Sequence, residues 1–155
     1  MIAMHLPTYL TLLSTAEQAL AASYGCVADG HAEEADVRYP CVHFGHRCTQ
    51  HAETLAPILP RYQDRRQAEP DRLSPPAISV ARAGPIGLLR DLQDLYQLAH
   101  LVDITWVLVG QAAAGARDRA LLDVVAACGP DITAQLAWLR SRMKAAAPQT
   151  LLVAP

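Results

Sequence analysis

The region from Gln63 to Pro85 constrains the fold of this sequence most, because it separates two halves that each show helical periodicity. Its residues, QDRRQAEPDRLSPPAISVARAGP, include four prolines and no hydrophobic repeat. A connection of roughly twenty residues is uncommon inside a compact domain. At about 3.3 Å per residue when extended, it can run the whole length of a helix. We therefore expect one long crossover between two helical units.

Two helices are predicted on each side of this connection, because apolar residues recur there at steps of three or four. The predicted helices span about 8–31, about 34–62, 85–115, and a region that begins near residue 118. Pro40 is expected in the first turn of the main second helix, and Pro57 near its frayed end. Pro85 suits the first turn of the third helix. The Gly129-Pro130 pair is expected to kink the fourth helix or to split it.

Length and composition agree with one helical domain. The chain has 155 residues, of which 52% are hydrophobic, 18% charged and 5% aromatic. A chain of this size buries enough surface to fold without disulfides or zinc. Two helical hairpins joined by one long crossover describe the ferritin-like variant of the four-helix bundle. We therefore predict an all-α, ferritin-like four-helix bundle, with residues 1–155 as a single domain and residues 63–84 as its crossover.

Charge and hydropathy exclude several classes of partner. Thirteen Lys and Arg residues against fifteen Asp and Glu residues give a formal charge of −2, so no basic field is present to bind nucleic acid. The longest uncharged apolar stretch of the second half, residues 104–116, is shorter than a bilayer span. The first residues lack the basic region of a signal peptide. We predict a cytoplasmic protein without a membrane segment, whose four cysteines are free thiols.

Polar residues on the core-facing lines are the candidate site. Glu17 lies between leucines on the first helix, and His51 lies on the core-facing line of the second. Residues at equal distance from a turn near 32–34 face each other, which places these two side chains level. A turn near 115–117 places Asp103 opposite Cys128, and it places His100 opposite Asp131. If the crossover reverses the second hairpin, Glu17, His51, His100 and Asp103 converge near the middle of the bundle.

A buried charge must be paired or must coordinate a metal. The four converging residues are therefore predicted either as ligands of iron or another transition metal, or as a hydrogen-bonded layer that fixes the helix register. Cys26 and Cys41 are level in the first hairpin and are predicted to remain free thiols. Cys48 and His51, one turn apart, are a weaker candidate for a thiolate–imidazole pair.

Three segments carry a resemblance to a known group. These are HLPTYLTLLSTAEQALAASYGCVADGHAEEADVRYPC, GPIGLLRDLQDLYQLAHLVDITWVLVGQAAAGARD and QLAWLRSRMKAAAPQTLLV, which resemble uncharacterised small bacterial proteins of the ferritin-like superfamily. The resemblance implies a helical bundle and no particular reaction. Di-iron members of this superfamily carry a Glu-x-x-His motif on two helices. Here Cys48 stands three residues before His51, and the fourth segment has no histidine, so any metal site is predicted to be mononuclear or degenerate.

The third helix is predicted to bind a partner, because its apolar residues occupy nearly every phase of the helix. Trp106 and the small-residue run 110–115 suit close approach by another helix. We predict a homodimer through this helix, to which the tail from Leu151 to Val153 contributes. The alternative is that the crossover covers this surface within one chain, through Leu73, Ile78 and Val80.

Three functions therefore remain open. The first is a non-catalytic interaction or oligomerisation module, or one with a degenerate site. The second is a metal-binding, iron-type ferritin-like protein with a redox or metal-handling role. The third is a haem or small-ligand pocket with His51 or His100 as an axial ligand.

Overall fold

The computed structural model describes residues 5–65 and 75–153 of the chain. These residues form four long helices and no strand. The helices are α1 (Leu6–Gly30), α2 (Ala35–Leu55), α3 (Gly84–Ala116) and α4 (Arg119–Pro148). A 3₁₀ segment (Leu59–Arg65) follows α2, and a π-helical turn (Gln149–Val153) extends α4. The predicted all-α class with four helices is confirmed for this part of the chain.

One of the predictions about prolines is wrong, and one of the two alternatives for Pro130 is excluded. Pro40 lies inside α2 and not in its first turn, because α2 already begins at Ala35. Val37 and Cys41, on either side of Pro40, are fully buried, and their packing offsets the hydrogen bond that Pro40 cannot donate. Pro130 lies inside α4, which continues through it to Pro148 and is not split. Pro85 is in the first turn of α3, as predicted.

The described residues on either side of the gap at 66–74 lie at opposite ends of the bundle. At the end that follows α2, Tyr62 donates a hydrogen bond to Asp118, which caps the start of α4. Arg61 also lies 3.3 Å from Asp118. At the other end, a Cβ on Gly30 would collide with the Cβ of Ala81, so this part of the crossover passes close to the end of α1. The start of α3 is therefore beside the start of α2, and these two helices run in the same direction.

The core runs the length of the bundle and takes residues from all four helices. Its largest fully buried side chains are Tyr24, Leu10, Leu13, Leu20, Leu55, Leu92, Leu95, Leu98, Trp106, Leu121, Ile132 and Leu139. Trp106 was predicted at a subunit contact, but only 2% of it is exposed. Gly110 faces α4, since a Cβ there would lie 3.1 Å from Cγ1 of Val125. This part of the predicted contact surface is therefore used for packing within the chain.

Two helical stretches of the described chain are long and apolar enough to cross a membrane by length and composition. They are Gly84–Ala116 and Arg119–Val153, each with a mean hydropathy of 1.3 in its most apolar window. In these windows, 39% and 22% of the residues are buried inside the bundle. The sequence-based prediction considered only the uncharged run 104–116, which is shorter than a membrane span. It therefore underestimated how apolar these two helices are. Core helices of soluble proteins pass the same test, so the finding is weak evidence for a membrane.

Candidate functional site

Glu17 is the centre of a buried polar layer halfway along the bundle. Its side chain is fully buried. Its Oε1 atom accepts hydrogen bonds from Nδ1 of His51 at 3.1 Å and from Nε1 of Trp106 at 2.8 Å. These contacts join α1 to α2 and to α3. The predicted pairing of Glu17 with His51 in the first hairpin is confirmed.

The second nitrogen of His51 extends this layer to α4. Nε2 of His51 lies 2.8 Å from Oδ2 of Asp131, and Arg47 binds the same carboxylate. The imidazole therefore lies between two carboxylates, to which both of its nitrogens donate when it carries a positive charge. Glu17, His51, Trp106 and Asp131 are called the middle layer below.

The electrostatics of the middle layer favour a charged imidazole. Burial alone would lower the pKa of His51, but hydrogen bonds and negative charge from Glu17 and Asp131 outweigh burial and raise that pKa. Burial likewise acts to raise the pKa of Asp131, yet hydrogen bonds from His51 and Arg47 leave it lowered. The layer is therefore an ion pair network across three helices, with Trp106 as a neutral donor from the fourth.

The buried thiols of the bundle are not activated. Burial raises the pKa of Cys128 to about 11 and that of Cys41 to about 12. The pKa of Cys48 is also raised, first by burial and then by the negative charge of Glu17. A nucleophilic cysteine needs the opposite shift, so the geometry gives no support to Cys48 and His51 as a thiolate–imidazole pair. All four cysteines are free, as predicted.

A second hydrogen-bonded group connects diagonal helices next to the middle layer. The hydroxyl of Tyr24 donates to Oε1 of Gln135 at 3.0 Å, and Sγ of Cys48 lies 3.7 Å from the same oxygen. Tyr24 is on α1 and Gln135 is on α4. The polar interior of the bundle is therefore connected from helix to helix and faces little solvent.

The other two predicted ligands do not join the middle layer. His100 is exposed, and its ring packs edge-on against Tyr96 with 4.5 Å between centroids. Asp103 is half-buried at a cleft beside Pro130 and Thr133, on the outer side of α3 and α4. The predicted convergence of Glu17, His51, His100 and Asp103 is therefore wrong.

The error has two causes. The side of α3 that faces the core carries Val102 and Trp106, which are buried, and not His100 or Asp103. The register of the second hairpin also differs from the prediction. α3 runs to Ala116 and α4 begins at Arg119, so the turn is centred later than predicted. Gly110 thus packs beside Val125, and the two helices are shifted by about one turn relative to the prediction. This shift brings Trp106 to the position that Asp103 was expected to occupy, and it brings Asp131 to the middle layer.

Sequence reasoning missed Trp106 and Asp131 as members of the layer. One signal was present, since a buried tryptophan usually finds an acceptor for its indole N–H. Asp131 was considered, but the incorrect register placed it opposite His100.

Most donors of the middle layer are already engaged within the bundle. Both nitrogens of His51 already contact carboxylates, so neither is free to coordinate a metal or a haem iron. Within residues 5–65 and 75–153, no group of three or more His, Cys, Asp or Glu side chains is placed to hold one ion. One oxygen, Oε2 of Glu17, is buried without a hydrogen bond to any described residue.

A second buried cluster lies where the crossover meets the bundle. Nε2 of His31 lies 2.8 Å from Oδ2 of Asp91, which is fully buried. The same carboxylate accepts the backbone N–H of Arg82 at 2.9 Å and its guanidinium at 2.7 Å. His31, Arg82 and Asp91 are called the end cluster below. Its residues secure the last part of the crossover to α1 and α3.

The two clusters hold the helices in register and leave few polar groups free for chemistry. A layer of this kind specifies one arrangement of the helices, because a slip would leave buried charges unpaired. A scan of protein-family models, a search of curated proteins and a search of solved structures found no match to this chain, so its assignment depends on its own residues.

Proposed function

We propose that this chain is a ferritin-like helical bundle that serves as a non-catalytic self-association module and forms a homodimer through α3. The observation that carries this proposal is an exposed apolar face on that helix. Ile104, Val107 and Leu108 lie on consecutive turns and are 49%, 50% and 48% exposed. Contiguous exposed apolar residues are typical of protein interaction surfaces. These three residues are called the α3 face below.

The ferritin-like assignment is supported by the connectivity of the helices. A long crossover that leaves α2 and α3 parallel is one of the connections known for ferritin-like bundles. The middle layer also lies inside the bundle, where such proteins place their metal ligands. Trp106 contributes a neutral indole from α3 where a ligand would be needed, which supports a degenerate site.

The described parts of the segments that were expected to share or cover the α3 face lie elsewhere on the bundle. In the described part of the crossover, the backbone N–H of Ile78 donates to Oγ of Ser23 at 3.0 Å, so this part follows α1. Val80 is 78% exposed, and Leu73 lies outside the described residues. The π-helical turn that includes the predicted tail contact begins beside the first turns of α3. The first turns of α3 are about twenty residues, roughly 30 Å, from the α3 face. We therefore propose a contact through α3 alone, without the tail.

We also propose a cytoplasmic location. Four free thiols agree with a reducing compartment. In this proposal the apolar face of α3 is covered by a second copy and not by lipid.

The experiment is a comparison of two glutamate substitutions on α3. Val107→Glu places a charge in the α3 face, whereas Gln97→Glu places the same charge at an exposed position nearer the start of the helix. We expect the unmodified protein and the Gln97→Glu variant to sediment as dimers, and Val107→Glu to sediment as a monomer of unchanged helicity by circular dichroism. A second variant, Leu108→Gln, should weaken the dimer without adding charge. An unmodified protein that stays monomeric at every concentration would refute the proposal.

Metal binding is the second candidate function, because Oε2 of Glu17 is buried without a hydrogen-bond partner among the described residues. Metal binding by this chain stays a prediction. Elemental analysis of the protein after reconstitution with iron tests it, with Glu17→Gln as the control. A stoichiometric metal in the unmodified protein and its loss in the variant would support this candidate, whereas equal trace amounts would remove it.

A further inference from the structure

We infer that the α3 face docks an antiparallel second copy of this chain around a two-fold axis level with Gly110, where Asp103 of each copy lies opposite Arg117 of the other. This inference rests on the proposed function and deepens it by giving the partner, the direction and the register. It depends on how residue types are ordered along the exposed side of α3.

Large and small side chains are segregated along this side of the helix. The residues from Asp103 to Arg117 read DITWVLVGQAAAGAR. The three large exposed residues of the α3 face come first, and the exposed small residues Ala112, Ala114 and Gly115 follow. A two-fold axis halfway between the ends reverses this order in the second copy. Each set of large side chains then meets a set of small ones, which permits the close packing that helix interfaces need.

The charges at the two ends of this segment are complementary in the same register. Asp103 and Arg117 form no side-chain ion pair or hydrogen bond with any residue of the described chain. They are fourteen positions apart, about 21 Å along the helix, and so cannot reach each other within one copy. By contrast, nearby Arg119 already pairs with Asp123 at 3.6 Å. An antiparallel two-fold dimer pairs Asp103 with Arg117 twice, whereas a parallel dimer brings equal charges together.

A glycine at position 115 is explained better by contact with a second helix than by packing within its own chain. A Cβ at Gly115 would meet no atom within 4 Å, so packing within the chain does not require glycine there. Glycine is unfavourable inside a helix relative to alanine. In the inferred register Gly115 lies opposite the start of the α3 face, where Ile104 of the second copy needs space. Gly110, in contrast, is explained by its contact with Val125 of the same chain.

A charge exchange tests the register. Asp103→Arg and Arg117→Asp should each weaken self-association about tenfold, because each replaces two attractive contacts by two repulsive ones. An equimolar mixture of the two variants should regain the affinity of the unmodified protein, since the mixed dimer has both opposite-charge pairs. Arg117 has a left-handed backbone conformation (φ 55°), which aspartate tolerates. Arg119→Asp, with the same charge change two residues away, should have little effect. A mixture no tighter than either variant alone would overturn the inference.

Site-specific cross-linking tests the direction independently. In this dimer the two copies of Gln111 lie about 3 Å apart along the axis, and the two copies of Gln97 lie about 39 Å apart. With half-buried Cys26 replaced by serine, a short bismaleimide should cross-link Gln111→Cys and should not cross-link Gln97→Cys. Equal cross-linking at both positions would show a parallel dimer. A dimer with no cross-link at Gln111→Cys would overturn the register and leave the proposed function intact, whereas a monomeric unmodified protein would refute both.

Discussion

The two buried histidines of this bundle are held in different ways, and the difference separates two structural tasks. His51, in the middle layer, contacts carboxylates of α1 and α4 through its two nitrogens. His31, in the end cluster, contacts one carboxylate, Asp91, which also binds Arg82 of the crossover. The middle layer thus joins helices to one another, whereas the end cluster joins an irregular connection to the helices.

The two clusters also differ in how solvent compensates a broken contact. The side chains of Glu17 and His51 are 0% and 4% exposed, so a lost partner leaves a charge or a donor in a dry interior. In the end cluster the Arg82 side chain is 45% exposed. Water can therefore replace part of what Asp91 provides. We expect the middle layer to be the more sensitive of the two.

The largest expected effect is that of Glu17→Ala. This change leaves His51 and Trp106 without their shared acceptor, and breaking a buried ion pair costs about 3–5 kcal/mol of unfolding free energy. Urea denaturation followed by tryptophan fluorescence measures the loss. Glu53→Ala is the matched control, because Glu53 is exposed, and it should change the free energy by less than about 0.5 kcal/mol. Equal effects of the two changes would show that the middle layer is not a stability element.

The next effect is that of Asp91→Ala in the end cluster. It removes the acceptor of His31 and Arg82, with an expected cost of about 2–3 kcal/mol because one of the two partners reaches solvent. Asp94→Ala is the control, since among the described residues Asp94 pairs only with the exposed groups of Arg82 and Arg90, and it should cost less than about 1 kcal/mol. The same denaturation experiment applies. A greater loss for Asp91→Ala than for Glu17→Ala would reverse the ranking of the two clusters.

The smallest expected effect is a pH dependence of stability that comes from His51 in the middle layer. The pKa of His51 is raised above 6.5 in the folded protein. Its contribution to stability is therefore complete below pH 6.5 and is lost as the pH rises through the raised folded value. The pKa of Asp131 is lowered from 3.8, so its contribution is lost only as the pH falls through that lowered value.

Urea denaturation in a series of buffers measures this dependence. The unfolding free energy should fall as the pH rises above 6.5, and His51→Gln should flatten that fall. Parallel curves for the unmodified protein and His51→Gln would contradict the charged state of the middle layer.

Local sequence features were sufficient to predict the helices and half of the middle layer. Hydrophobic periodicity predicted four helices, and the short turn of the first hairpin placed Glu17 level with His51. Pairing residues at equal distance from the turn failed in the second hairpin. Its turn is displaced by about two residues, and this shifts the facing positions by about one helical turn. Asp103 and His100 were expected inside because the core-facing side of α3 was also misjudged, since its buried side carries Val102 and Trp106.

The sequence by itself determined the helical class of this protein, because an apolar residue at every third or fourth position can bury its face only as a helix. It also determined that Glu17 needs a partner, because a carboxylate among leucines cannot remain unpaired. The turn of the first hairpin indicated His51 as one partner, and only the tertiary structure decided that Trp106 joins Glu17 and that Asp131 contacts the second nitrogen of His51. His51, Trp106 and Asp131 come from three other helices, and their meeting depends on the register of each hairpin and on the direction in which the crossover returns. Periodicity along one helix contains no information about that register, since every turn of a helix offers a nearly equivalent place for its neighbour to pack.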